Sequence, residues 1–521
     1  MSEEDSSTVD DSGWPDSGSD STVEGSSEED PSTDTRDTET NSQDADDNEW
    51  PLLDVPMVDA STLSGKAMFG YQGWFGHPDD GSPRPKPWHW GSIYDPLAPT
   101  VEMFPDMREL CDDERYSTDY TYPDGSMAPL FSSGNRHTVL RHVKWLRDYN
   151  LDGVFLQRFA NELGDDAVKR FRDKTTQFIM EGSEKYGRVF AIMYDGLVDT
   201  EVIIEDWKHL VDDIGVTSSH RYLNHDGLPL VALWGYTFRE YATAEDLAQV
   251  MDFFLNSPNA QYRANVMLGV NNDWFSLGNE WTSSFEKASV ISPWTVGRYN
   301  SMESYNNHYF PKQFTPGQNW CEDRGILFLP VIFPGFSWYN LKKGSSPQNQ
   351  IPRNAGQFFW AQVHGAINAE VESLYFAMFD EVDESTAFFK TAEDASMSPT
   401  QEYWLNLDAD GTVLPSDWYL RCAGKATAVL RGILPNSPDL ETPPEGGIAI
   451  YPQSNGITLE FPNFAGRSTL EFSTDGGNTW PYVTGDAAGS YFIELSKGTY
   501  QIFARHAAGK PAVPMGEVRI F

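Results

Sequence analysis

The chain has 521 residues, 39% of them hydrophobic, which is enough for a large core and for more than one ordered domain. Its formal charge of −41 repels nucleic acid and anionic membranes and leaves neutral or cationic partners. Cys111, Cys321 and Cys422 stand too far apart for a metal-ligand motif or a disulfide framework, and no apolar run approaches the ~20 residues that span a bilayer.

Residues 1–50 hold 18 Asp or Glu against the single basic residue Arg36, a net of −17 that leaves −24 for the rest. With almost no apolar side chains to bury, residues 1–55 are predicted to be a disordered acidic tail. No basic region followed by an apolar core is visible at the start, so no signal peptide is read there. An acidic Ser/Asp/Thr tail often follows a cleaved signal or lipid anchor. An extracellular or cell-surface location is therefore expected, with a cytoplasmic one as the alternative.

From residue 66 the pattern changes to short apolar runs separated by amphipathic segments. The runs are 66–74 (KAMFGYQGW), 153–159 (GVFLQRF), 188–194 (RVFAIMY), 228–234 (LPLVALW), 264–270 (ANVMLGV), 289–294 (SVISPW), 326–333 (ILFLPVIF) and 373–379 (SLYFAMF). Helical periodicity covers 137–149 and 165–186, and 356–369 reads as a further helix. Eight buried strands alternating with helices predict a (β/α)8 barrel over 56–434, closed by an amphipathic helix in 418–434. Residues 435–445 read as a Pro-, Ser- and Glu-rich linker. Residues 446–521 alternate apolar and polar residues around a turn at 475–478, which predicts a small β-sandwich of immunoglobulin or fibronectin III type.

Active sites of such barrels lie at the C-terminal ends of the strands. That rule singles out Tyr71, Gln72, Trp74, Gln157, Arg158, Tyr194, Asp195, Trp234, Asn271, Trp294 and Trp338 as candidates to bind substrate. The long loops 75–95 and 334–353 add Trp88 and Arg353. Rings for stacking on C–H faces and amides or acids for hydroxyls make a suitable lining for a sugar cleft. Each residue alone could simply end a strand; their recurrence at strand after strand is the signal.

The last run ends abruptly in Asp380, Glu381, Asp383 and Glu384. Two glutamates three positions apart at a strand exit are what a glycosidase needs, one to handle a proton on the leaving oxygen and one to act as base or nucleophile. Neighbouring carboxylates raise one another's pKa, which would keep an acid protonated near neutrality. A solvated acidic loop and a calcium site are the rival readings.

Residues 379–386 (FDEVDEST) resemble the F-N-E-W-H-E-G-T segment of glycoside hydrolase family 99, the endo-α-mannosidases, and more closely that of bacterial family 71/99-like proteins. Residues 69–75 (FGYQGWF) are similar to that group's first strand and 351–356 (IPRNAG) to its Pro-Arg loop, so the likeness spans about 66–395. It implies a glycoside hydrolase that cleaves O-glycosidic bonds of an oligo- or polysaccharide with retention, without metal or cofactor. It further implies that Glu381 is a base on the sugar's own 2-hydroxyl, giving a 1,2-anhydro intermediate, and that Glu384 protonates the leaving oxygen and later activates water. Asp380 and Asp383 fall at the substrate subsite, where Asp380, Val382 and Asp383 replace Asn, Trp and His. An α-1,3-glucanase like those of family 71, a xylan- or arabinan-type hydrolase, and a non-catalytic carbohydrate-binding protein are the alternatives.

Overall fold

The computed structural model describes residues 57–521 apart from 85, 92, 95–98, 197–199, 239–241, 433, 441–448, 454, 462–469, 484–488, 507–512 and 521. The expected tail 1–55 and the last part of the expected linker lie outside the described residues.

Every predicted apolar run contains a strand. The strands are β1 (Ala67–Tyr71), β2 (Gly153–Phe159), β3 (Val189–Asp195), β4 (Asn224–His225), which lies outside the predicted runs, β5 (Leu228–Leu233), β6 (Asn265–Val270), β7 (Val290–Pro293), β8 (Leu327–Phe328), β9 (Val331–Ile332) and β10 (Leu374–Phe376). The short β4 forms a hairpin on β5; the others pair in parallel in the order β8-β7-β6-β5-β3-β2-β1-β10-β9. The seventh run is split at Leu329-Pro330, where Pro330 has no N–H to give to a ladder. Its first half pairs with β7 and its second half with β10, so one run joins both ends of the curled sheet. The result is a (β/α)8-barrel-like fold.

The runs are near-continuously apolar because most of their residues are buried on both faces. Helices α1 (Arg136–Asp148), α2 (Asp166–Tyr186), α3 (Thr200–His209), α4 (Ala244–Asn256), α5 (Asn279–Phe285), α6 (Met302–Ser304), α7 (Thr315–Glu322), α8 (Gln357–Asn368) and α9 (Trp418–Leu430) follow the strands. Their starts are written in the sequence. Asn135 accepts the first backbone N–H groups of α1, Asp165 those of α2, and Thr243 with Asp246 forms a capping box on α4. Gly187, at φ 65°, ends α2.

Two glycines make room for rings inside the barrel. A Cβ on Gly269 would lie 1.9 Å from the Trp234 ring, and one on Gly70 would lie 2.2 Å from both Met378 Sδ and the Tyr375 hydroxyl.

Beyond the barrel come β11 (Ala449–Gln453), β12 (Gly456–Phe461), β13 (Leu470–Ser473), β14 (Tyr482–Val483), β15 (Gly489–Glu494), β16 (Gly498–His506) and β17 (Val513–Ile520). They form two small antiparallel sheets, β11-β12-β15 and β14-β13-β16-β17. Ile457, Leu459, Phe472, Ile493, Leu495, Ile502 and Ile520 make a core separate from that of the barrel.

Candidate active site

The acids stand on a tight excursion of the chain immediately after β10. Phe379 N–H donates to Gly70 O (2.7 Å), while Met378 N–H donates to Thr386 O (3.2 Å) and Phe388 N–H to Met378 O (3.1 Å). The chain therefore leaves the barrel at Phe379, turns through residues 380–387 and is pinned where it returns. Asp380, Glu381, Asp383 and Glu384 are all buried, so the solvated-loop reading fails.

Asp380 is the anchor: its carboxylate accepts from Gln72 N–H (2.7 Å) and Gly73 N–H (2.8 Å), tying the loop to the end of β1. Burial pushes its carboxyl up to about 6 while those two N–H groups hold it back. Burial also pushes Glu384 up to about 7 against the pull of Lys342, whose ammonium rests 4.5 Å from the Trp338 ring centroid. Glu381 is held further up, by burial and then by the charges of Glu384 and Asp383. Glu384 therefore gives up its proton near 7, and Glu381, raised well above its usual value beside it, holds its own more tightly. Thr386 Oγ1 donates to Glu381 Oε2 at 3.2 Å. Asp383 is raised by burial and by Glu384.

Several predicted residues gather with these acids. Gln72 leads out of β1; Trp74 follows it. The Gln157 side-chain amide donates to Asp195 (3.1 Å) where β2 and β3 end. Trp234 packs edge-on to Trp294 (5.3 Å), and both rings lie near Tyr375, which feels the charges of Glu381, Asp195 and Asp380. Trp338 follows Ser337, whose N–H donates to Glu384 O (3.0 Å). Gln72 Oε1, Trp74 Nε1, Trp234 Nε1, Asn271 Oδ1, Trp338 Nε1 and Asp383 Oδ1 are buried without a hydrogen-bond partner among the described residues.

Others are built away from the acids. Arg158 lies on the outer face of β2, where it donates to Asp206 of α3 (2.8 and 2.7 Å) and Asp173 of α2 (3.0 Å). The Tyr194 hydroxyl donates to the same Asp206 (2.9 Å). Tyr71 likewise points outward, its hydroxyl 2.9 Å from His142 Nδ1 on α1. These three are corrected from substrate-binding candidates to parts of the strand–helix layer, because successive strand residues face opposite ways. Trp88 lies between the Arg84 and Arg172 guanidinium groups (4.7 and 4.9 Å) and is almost wholly buried. Arg353 donates to Ser385 O (2.7 Å) and Ala387 O (2.8 Å), clamping the acid loop from beneath.

The geometry also brings in residues that the sequence did not single out. His89 stacks on Trp74 with ring centroids 3.7 Å apart and places Nδ1 3.5 Å from Asp383 Oδ2. Its backbone is left-handed (φ 59°), uncommon for a residue other than glycine. Burial, then Arg172 and Arg84, hold its pKa well below the usual histidine value, so the ring is neutral. Arg172 of α2 donates to Gln72 O (2.8 Å), Gln157 O (3.2 Å) and Glu162 (2.8 Å), stitching β1 and β2 together beneath the site. The only signal for His89 is the Trp-His-Trp run in a long loop; Arg172 gives none, being one more polar residue of an amphipathic helix.

Among the described residues, the His, Cys and acid side chains that bring three ligand atoms within 4.8 Å of one another are Cys111, Asp113 and Glu114, away from this loop. Glu114 is there engaged by Arg141 and Asp113 by His137.

A scan against protein-family models and a search of curated proteins find no match to the sequence. Solved structures do match. An endo-α-mannosidase of family GH99 from Bacteroides thetaiotaomicron, in complex with bis-tris-propane, aligns over 71% of this chain and 99% of its own, at 14% identity and a TM-score of 0.52. A second structure of the GH99 endo-α-mannosidase from that organism aligns over the same shares, at 14% identity and a TM-score of 0.50. The fold is GH99-like. Among the described residues no helix is long and apolar enough to cross a membrane.

Proposed function

We propose that the protein is a glycoside hydrolase that cleaves O-glycosidic bonds of an oligo- or polysaccharide with Glu381 and Glu384. The observation that carries this reading is the buried pair itself, with Glu384 pushed up to about 7 and Glu381 raised well above its usual value by burial and by Glu384, at the strand ends of a GH99-like barrel. A hydrolase with such a pair needs one carboxylate and one carboxylic acid at once. The two glutamates share one proton, and the proposed chemistry requires it on Glu384 once substrate is bound; the hydrogen bond that Thr386 donates to Glu381 favours the ionised form there. Glu381 then takes the proton of the sugar's 2-hydroxyl as that oxygen attacks C1, while Glu384 protonates the departing oxygen. In the second step the ionised Glu384 removes a proton from water, whose oxygen attacks C1 and breaks the C1–O2 bond while Glu381 returns its proton to O2, giving net retention and restoring both carboxyls.

The unpaired atoms of Gln72, Trp74, Trp234, Asn271, Trp338 and Asp383 support a polyhydroxylated ligand, which offers both donors and acceptors. Trp74 and His89 form one stacking wall and Trp234 with Trp294 another. The neighbours in fold are endo-α-mannosidases. The exchange of Trp and His for Val382 and Asp383 alters the subsite, so we carry over the reaction class and not mannose. We assign catalysis to 56–434 and a bracing immunoglobulin- or fibronectin-like sandwich to 446–521. An extracellular setting goes with a polymeric substrate.

Glu384→Gln is expected to abolish hydrolysis of unactivated glycosides in a product-release assay across a glycan panel while circular dichroism stays unchanged. Full activity in that variant would overturn the assignment.

A further inference from the structure

The acid loop has a second support that takes no part in the proposed chemistry. Glu102 lies in the segment that precedes α1 and is fully buried. Its N–H donates to Val382 O (2.9 Å), between the two catalytic glutamates, and Met103 N–H reaches the same oxygen at 3.3 Å. Its carboxyl accepts from Asn340 N–H and from Ser337 Oγ (3.3 Å). Ser337 N–H in turn donates to Glu384 O. Glu102 therefore grips Val382 with its backbone, and with its side chain grips the loop that holds Glu384. Asn340 closes the bracket by donating its side-chain amide to Val101 O and Tyr403 O, both at 2.8 Å.

We propose that Glu102 is a positioning residue that fixes the separation of Glu381 and Glu384. Moving either glutamate changes the charge that one exerts on the other, so the bracket also sets how the pair titrates. Burial supports a fixed, proton-bearing group here, pushing Glu102 up to about 7 against the bonds from Asn340 and Ser337, with the Tyr403 phenol as the titratable neighbour that feels it. A glutamine keeps both bonds, its amide oxygen accepting from Asn340 and its NH2 donating to Ser337 Oγ; an alanine keeps neither.

The inference rests on Glu381 and Glu384 being the working pair, and its test reads that pair without substrate. Full-length protein labelled with 13C at glutamate carboxyls is titrated by NMR as wild type, E102Q, E102A and the milder S337A. In E102A the Glu384 step near 7, read apart from the Glu102 step that E102A and E102Q both lack, is expected to move by about one unit, with a smaller shift in the same direction in S337A and the wild-type Glu384 step in E102Q. On a cleaved glycan, E102A should lower kcat about tenfold to a hundredfold with KM little changed, and E102Q should restore it. An unmoved pair in E102A, or in S337A if E102A does not fold, overturns the proposal. So does a shift in E102Q equal to that in E102A, because charge rather than position would then be acting. If the pair shifts as expected but the wild type cleaves no glycoside, the bracket stands and the proposed hydrolase activity falls.

Discussion

Gln157 and Arg158 are adjacent in β2 and do unrelated work. Gln157 meets Asp195 at the strand ends, whereas Arg158 is sealed against Asp206, Asp173 and Tyr194 beneath the helices. Removing one partner of a buried ion pair leaves the other charge uncompensated. Arg158→Met is therefore expected to destabilise the fold by about 3–5 kcal/mol in urea unfolding, with KM for a cleaved glycan unchanged. A changed KM at unaltered stability would return Arg158 to the site. The acid pair predicts its own pH dependence. Below about 7 both glutamates are protonated and no base exists; above it one proton remains and both roles are filled. kcat/KM should therefore rise as pH rises through about 7, where the pair first gives up a proton. A pH–rate profile that declines through 7 would contradict this order of titration.

At the scale of elements, the barrel depends on where chain has been left out as much as on where it is packed. Gly269 on β6 and Gly70 on β1 give their space to Trp234, Tyr375 and Met378, which fill the interior under the acids. Gly269→Ala drives a methyl group into the Trp234 ring, so about 1–3 kcal/mol of destabilisation is expected by urea unfolding. Trp fluorescence should report the displaced ring. A neutral substitution would show that Trp234 can retreat. The acid loop is held by three unrelated elements: the end of β1 through Asp380, the 334–353 loop through Ser337 and Arg353, and the segment before α1 through Glu102.

Across the whole molecule, −41 is a repulsive load that salt relieves. The Tm is expected to rise steadily from low salt to about 1 M NaCl, where the screening length falls to about 3 Å. A Tm that is flat or falls across that range would mean that attractive pairs such as Arg136–Glu181 dominate instead. The sequence alone made the barrel strands legible, because eight short apolar runs set between amphipathic helical segments suit a buried parallel sheet, and it made the acid cluster legible, because four acids follow directly on the last of those runs. Helix starts were legible too, since Asn135, Asp165 and Thr243 act on N–H groups two or three residues away. Tertiary structure alone decided which strand-end residues face the acids. Tyr71, Arg158 and Tyr194 differ from Gln72, Gln157 and Asp195 only by one step of the pleat, and the partners that identify them, His142 and Asp206, come from helices packed against the outside of the sheet. His89, Arg172 and Glu102 were invisible for the same reason: each acts on atoms brought near by closure of the barrel, and no local pattern records a contact made across more than two hundred residues, as Glu102 makes with Ser337 and Asn340.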